Sequence, residues 1–233
     1  MLKRRLIPKL LLKASRMGGA ERMVLVTTRG FGDAVEIGDP VSQAKVYEAQ
    51  AADELIFLDL DATAQSRAPR ADIVRRAAEE IFMPFTVGGG VRTIEDFWVL
   101  LANGADKVGV NSAAVSNPGL IRDAASIFGA QCVVLSIDYR LDDAGRPRVW
   151  IRGGREKTDL DPVEWAAEGE RLGVGEILLT AIDRDGSRSG LDLELTRKVV
   201  ERVSVPVIAS GGCGRAAHFV EGFLQGRAHA VAA

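Results

Sequence analysis

Cysteine is scarce in this chain: two residues, Cys132 and Cys213, among 233. Their separation matches no metal-ligand or thiol–disulfide spacing, so no metal or redox cofactor is expected. Both stand in apolar surroundings and read as reduced core thiols, which makes the cytoplasm the default compartment. Long hydrophobic runs are also missing. No segment approaches the roughly eighteen apolar residues that a membrane-crossing helix needs, so no membrane partner is expected. The basic opening Lys3, Arg4 and Arg5 before Leu10-Leu11-Leu12 imitates a signal peptide. Pro8 and Lys9 interrupt it and no small-residue cleavage site follows, so it reads as a first strand. Excess charge of one sign is absent as well. Thirty Lys and Arg oppose 32 Asp and Glu, a formal net charge of -2, which gives no field to gather nucleic acid. No Pro-, Gly- or Ser-rich linker divides the chain, and residues 1–233 read as one domain.

What is present is repetition. Short runs rich in Val, Ile and Leu alternate with longer amphipathic stretches, the pattern of β-α units on a parallel sheet. Strands are predicted at Leu6–Leu11, Leu55–Asp59, Phe85–Gly88, Lys107–Val110, Val133–Asp138, Glu176–Thr180, Val207–Ser210 and Ala228–Ala232. Helices are predicted at Pro40–Gln50, Arg70–Ile81, Ile94–Ala102, Pro118–Phe128, Pro162–Leu172, Leu193–Val203 and Ala216–Leu224. Pro40, Pro118 and Pro162 stand where a first helical turn tolerates a missing N–H. One constant shift carries Pro84, Gly89, Gly90, Phe97 and Gly104 onto Pro206, Gly211, Gly212, Phe219 and Gly226, and Glu54 and Asp61 onto Glu176 and Asp183. Such an internal repeat favours an α/β fold of the (β/α)8 TIM-barrel class, built from two duplicated half-barrels. The last helix is missing from this chain, so the barrel is expected to be C-terminally incomplete.

Two glycine-rich turns follow predicted strands, Val87-Gly88-Gly89-Gly90 and Ser210-Gly211-Gly212. Such turns expose backbone N–H groups that can cradle a phosphate, or they simply allow a tight β-α connection. Their symmetric placement suits a ligand carrying two phosphates.

Five segments then resemble one family. They are Asp53–Asp59; Val87–Arg92; Ala105–Val108 with Asn111; Gly175–Thr180 with Asp183-Arg184-Asp185-Gly186; and Ile208–Gly212. They are similar to the cyclase subunit of imidazole glycerol phosphate synthase, a barrel of histidine biosynthesis, and the similarity spans the chain. The resemblance implies a lyase that uses ammonia from a glutaminase partner, bound as a heterodimer. Its substrate is a phosphorylated ribulosyl-formimino aminoimidazole carboxamide ribonucleotide, cleaved to imidazole glycerol phosphate and aminoimidazole carboxamide ribonucleotide. It also implies phosphate or substrate contacts at Gly89, Gly90, Asn111, Thr180, Asp185, Gly186, Ser210, Gly211 and Gly212.

Of the family's two catalytic carboxylates, the one ending strand five is present as Asp138. Its other reading is a helix cap or ion-pair partner. The strand-one motif, Ile-Pro-x-Leu-Asp-Val in the family, reads Ile7-Pro8-Lys9-Leu10-Leu11-Leu12, so Leu11 stands in place of the aspartate. Arg5, Glu54, Lys107 and Glu176 match the family's four-residue ammonia gate at the barrel floor, although such a ring can also serve as a structural plug. Asp106 matches a glutaminase contact or is a solvated charge. Residues Ser15 to Gly38, with Gly18-Gly19 and Gly30-Phe31-Gly32, form a long first loop that reads as a lid or an unstructured insertion. Arg155 to Asp159 look like the fifth β-α loop at the same mouth. The Leu-Leu-Leu strand also resembles a second-copy branch linked to amidation of surface sugars. That leaves two alternatives, amidination of a nucleotide-linked sugar or a silent scaffold for a glutaminase.

Overall fold

The computed structural model of the protein describes residues 3–17, 20–32 and 34–233. Its strands in chain order are β1 (Arg5–Ile7), β2 (Lys9–Met17), β3 (Ala20–Thr27), β4 (Val35–Gly38), β5 (Leu55–Asp59), β6 (Phe85–Gly88), β7 (Lys107–Val110), β8 (Val133–Leu141), β9 (Pro147–Ile151), β10 (Glu156–Lys157), β11 (Glu176–Ala181), β12 (Val207–Ser210) and β13 (Ala230–Ala232). Its helices are α1 (Pro40–Ala49), α2 (Ala71–Ala78), α3 (Ile94–Ala102), α4 (Ser112–Ser116), α5 (Gly119–Phe128), α6 (Pro162–Leu172), α7 (Leu193–Arg202) and α8 (Ala216–Leu224).

Pro8 splits the first extended segment, because proline has no N–H to give to a ladder. β2 pairs in parallel with β5, and parallel pairing continues through β6, β7, β8, β11 and β12 to β13. β13 in turn pairs with β1, with Arg5 opposite Ala230 and Ile7 opposite Ala232. The Lys9 amide donates to the Ala233 carbonyl at 2.8 Å, and the Ala233 amide to the Ile7 carbonyl at 3.1 Å. The sheet therefore curls onto its own beginning, a TIM-barrel-like α/β arrangement.

Alternation along the strands separates two apolar populations. Leu10, Leu12, Leu55, Phe57, Val108, Leu135 and Leu179 join the helices in the larger core. Ile7, Ile56, Val134, Leu178, Ile208, Ala230 and Ala232 pack together inside the curl. Helix starts follow ordinary capping chemistry. Asp39, Asp161 and Asp192 cap α1, α6 and α7, and Thr93 with Asp96 forms a capping box on α3.

The predicted strands and helices all occur, with ends moved by a few residues; α2, for example, covers Ala71–Ala78 rather than Arg70–Ile81. The first loop is a correction. Ser15 to Gly38 is not an unstructured insertion along most of its length. β2 runs to Met17, β3 returns antiparallel to it, and β4 pairs with β3. Met23-Val24-Leu25-Val26 explains this: Met23 and Leu25 reach the outer core while Val24 and Val26 pack on Leu11. Gly18-Gly19 lies outside the described residues. Antiparallel β9 and β10 likewise prolong the end of β8, with Glu156 and Lys157 in β10. The cysteines also depart from expectation. Both are free but only half-buried rather than core residues.

The glycine turns occupy equivalent places. A Cβ on Gly89 would collide with the Asp59 carbonyl, and one on Gly211 would lie 2.5 Å from the Ala181 carbonyl. Both residues have positive φ, +101° and +93°, so L side chains are disfavoured twice over. Equivalent ladder bonds also recur, Leu55 N–H to Pro84 O and Ile177 N–H to Pro206 O, both 3.0 Å. Gly211→Ala is expected to cost at least about 2 kcal/mol in urea unfolding. Gly145→Ala, with φ +74° but open space around it, should cost only about 1 kcal/mol. Equal losses would contradict the packing argument.

Candidate active site

Four charges lie at the N-terminal end of the curled sheet, each at or just before the start of a strand. Arg5 donates from Nη1 to Glu54 Oε1 at 2.7 Å and from Nη2 to Glu176 Oε1. Lys107 Nζ reaches Glu54 Oε2 at 3.0 Å and Glu176 Oε2 at 2.9 Å. Each carboxylate thus bridges both cations, and the quartet is neutral and mutually satisfied. That pairing is what lets Glu176, with a side chain 4% exposed, remain buried. Burial alone would lower the Arg5 pKa, but its contacts with Glu176 and then Glu54 raise it above the ordinary arginine value. Asp106 is otherwise engaged: its carboxylate accepts the Phe85 N–H at 2.9 Å and so caps the start of β6.

Above the quartet lies the inner apolar cluster, and above that a polar row. Asp138 on β8 faces Thr180 on β11 in register, and Thr180 faces Ser210 on β12. Asn111 Nδ2 donates to Asp138 Oδ2 at 2.7 Å, and Asn111 Oδ1 is buried without a hydrogen-bond partner among the described residues. Asp138 is therefore neither a helix cap nor one half of a simple ion pair. Burial drives its pKa up to about 7; the Lys9 charge and hydrogen bonds from Thr180 and Asn111 oppose that rise, and Asp185 adds to it. A carboxyl titrating there can hold or release a proton near neutral pH.

Lys9 is the residue that sequence reasoning missed. Its ammonium, 6% exposed, lies 3.1 Å from Asp185 Oδ1 and 2.8 Å from Ser210 Oγ. The signal was available as register: Arg5, Ile7, Lys9 and Leu11 alternate onto one face. Leu11 is 8% exposed against Val24 and Val26, with Leu58 and Leu60 nearby. A cavity of about 430 Å³ opens here, bordered by Lys9, Leu11, Asp185, Ser210, Gly211 and Gly212 among others.

The two glycine turns are unequal in room. Gly211 and Gly212 border this cavity, whereas Gly89 borders a void of only about 10 Å³. Gly90 packs against Ala62, and Gly186 against the backbone of Thr28. The structure thus brings Asn111, Thr180, Asp138, Asp185 and Ser210 to one mouth. It gives Gly89, Gly90 and Gly186 sufficient packing reasons of their own.

Comparison with known proteins adds two findings. The family described as "Histidine biosynthesis protein" matches residues 7–233. The "Imidazole glycerol phosphate synthase subunit HisF" of Alkaliphilus metalliredigens (strain QYMF) is 46% identical over 233 residues, covering 100% of this chain and 89% of that protein.

The raised Asp138 pKa fixes the sign of one pH effect. The folded state holds this proton to higher pH than the unfolded chain, so Asp138 costs stability as pH climbs from about 4 through 7. Relative to Asp138→Asn, the wild type should therefore lose about 1–3 kcal/mol between pH 5 and pH 8. Urea midpoints at both pH values measure the difference. An unchanged difference would contradict the assigned environment.

Proposed function

The chain belongs to the histidine biosynthesis family, and from that membership we propose that it is the ammonia-dependent cyclase subunit of an imidazole glycerol phosphate synthase. The observation that carries the reading is axial. The satisfied quartet of Arg5, Glu54, Lys107 and Glu176 stands at one end of the inner apolar cluster, and the titratable Asp138 stands at the other end. In this reading a glutaminase docks on the quartet face as the partner of a heterodimer. Ammonia, a neutral molecule, passes between Ile7, Ile56, Val134 and Leu178 only when the quartet loosens. It meets the substrate beside Asp138, which serves as general acid–base while the imidazole ring closes.

The substrate is a phosphorylated open-chain sugar derivative. Gly211 and Gly212 take one phosphate at the roomy end of the mouth, and Ser210 and the backbone donors there support that assignment. A second phosphate at Gly89 and Gly90 requires the small void beside them to widen. Thr180 and Asn111 orient Asp138, and Asn111 Oδ1, which has no hydrogen-bond partner among the described residues, accepts from the ligand. Asp185 and Gly186 complete the wall. We read residues 1–233 as one cytoplasmic domain of two duplicated half-barrels, a reading supported by the matched glycine contacts and ladder bonds.

Lys107→Ala tests the axial route. It is expected to lower glutamine-driven turnover about tenfold more than turnover with added ammonium salt. Equal losses would make the quartet a structural plug.

Leu11 supports a second reading, a paralogous subunit that amidinates a nucleotide-linked sugar. An apolar wall of Leu11, Val24 and Val26 stands where the family's reaction uses a carboxylate. One missing acid–base group costs about 10²–10⁴-fold in rate, so formation of imidazole glycerol phosphate should be slow even with ammonia supplied. Leu11→Asp should raise it, most visibly at alkaline pH, because the apolar wall will hold the new carboxyl protonated at lower pH. Full activity in the unmodified chain would remove the case for the second reading.

A further inference from the structure

Lys9 has no role in the account so far, yet it is the most buried cation at the mouth. Strand one places it there for a local reason. Pro8 breaks the ladder between β1 and β2, but the inward alternation survives the break, so Lys9 follows Ile7 into the interior. A lysine there must be paired or neutralised. It is paired: the ammonium bridges Asp185 Oδ1 at 3.1 Å and Ser210 Oγ at 2.8 Å. Ser210 is the register neighbour of Thr180, which is the register neighbour of Asp138. Asn111 closes the row on its far side. Lys9 therefore terminates an arc that crosses β12, β11 and β8 and ends at the residue after β7.

We propose that Lys9 is the positioning residue of this mouth: bridging Asp185 and Ser210, it keeps Asp138 available as an anion in a barrel that has leucine at position 11. The proposal deepens the cyclase reading and rests on it only for what Asp138 does during turnover. The groups facing Asp138 can be named strand by strand. β2 contributes the Lys9 cation and the segment after β11 the Asp185 carboxylate, while β11 contributes the neutral Thr180 and the residue after β7 the neutral Asn111. Trp150 of β9 is its antiparallel partner. Lys9 thus opposes both the burial of Asp138 and the repulsion of Asp185, and it does so ahead of the two hydrogen bonds. Were Lys9 absent, only the hydrogen bonds from Thr180 and Asn111 would oppose those two effects, and Asp138 would stay protonated to higher pH.

The test is the titration of the Asp138 carboxyl, followed by carbon NMR on aspartate-labelled protein without substrate. Lys9→Met should move the Asp138 midpoint up by about one pH unit or more, and Lys9→Arg should restore most of it. Asp185→Asn should move the midpoint down, which keeps the proposal open to refutation if the methionine variant does not fold. In turnover, Lys9→Met should lower kcat with little change in KM, and the acid limb of its pH profile should shift in parallel with the NMR midpoint. An Asp138 midpoint unmoved by Lys9→Met, or unmoved or raised by Asp185→Asn, would overturn the positioning role. If the midpoints move as expected while no chain turns over the cyclase substrate, the positioning role stands and the reading of the reaction fails.

Discussion

The closure of the sheet on its own first segment is the constraint from which the rest follows. β1 pairs with β13 and β2 with β5, so side chains on the inner face of that segment are largely withdrawn from water. Four consecutive inward positions then have to be solved in four ways. Arg5 is satisfied by two carboxylates, Ile7 by apolar packing, Lys9 by Asp185 and Ser210, and Leu11 by Val24 and Val26. A charge in such a place is tolerated only when its partners are already fixed by neighbouring strands. That requirement makes the quartet and the polar row properties of the whole ring. The same closure sets floor, apolar middle and polar mouth on one axis, the arrangement that a subunit receiving a small neutral nucleophile from below requires.

Much of this was legible in the sequence, and the reasons are local. Val207–Ser210 and Phe85–Gly88 read as strands because short β-prone runs end at glycines, and the structure has both at those bounds. The quartet was legible through the family resemblance, which named four charges at or before strand starts. Asp138 was legible through the same resemblance, as the carboxylate ending the predicted strand Val133–Asp138, although β8 runs on to Leu141. Lys9 was not, because a lysine beside a proline reads as a solvated strand start until the register of Arg5 and Ile7 is followed through it.

The hairpin was illegible for a different reason. Glycines at Gly18, Gly19, Gly30 and Gly32 drew attention from Met23-Val24-Leu25-Val26, whose alternation serves two cores at once. Without the hairpin, Leu11 looks like a lost catalytic group and nothing more. With it, Leu11 is also a packed wall residue, and a carboxylate there would be desolvated against valines. The glycine turns show the converse. Their motif was plain, but only the fold shows that Gly89 and Gly211 are each required by the backbone carbonyl of a neighbouring segment, Asp59 and Ala181. A glycine can be demanded by packing and by a ligand together, and the sequence cannot apportion the two.

The central claim is that nitrogen reaches Asp138 along the barrel axis from the quartet. It is tested most directly by isotope partitioning in the complex with a glutaminase: glutamine carrying ¹⁵N in its amide is supplied beside excess unlabelled ammonium, and the imidazole product is analysed by mass spectrometry. The account predicts that product retains most of the label, because ammonia released at the quartet face moves inward before it can mix. Label diluted to the ratio of the bulk ammonium pool would contradict it.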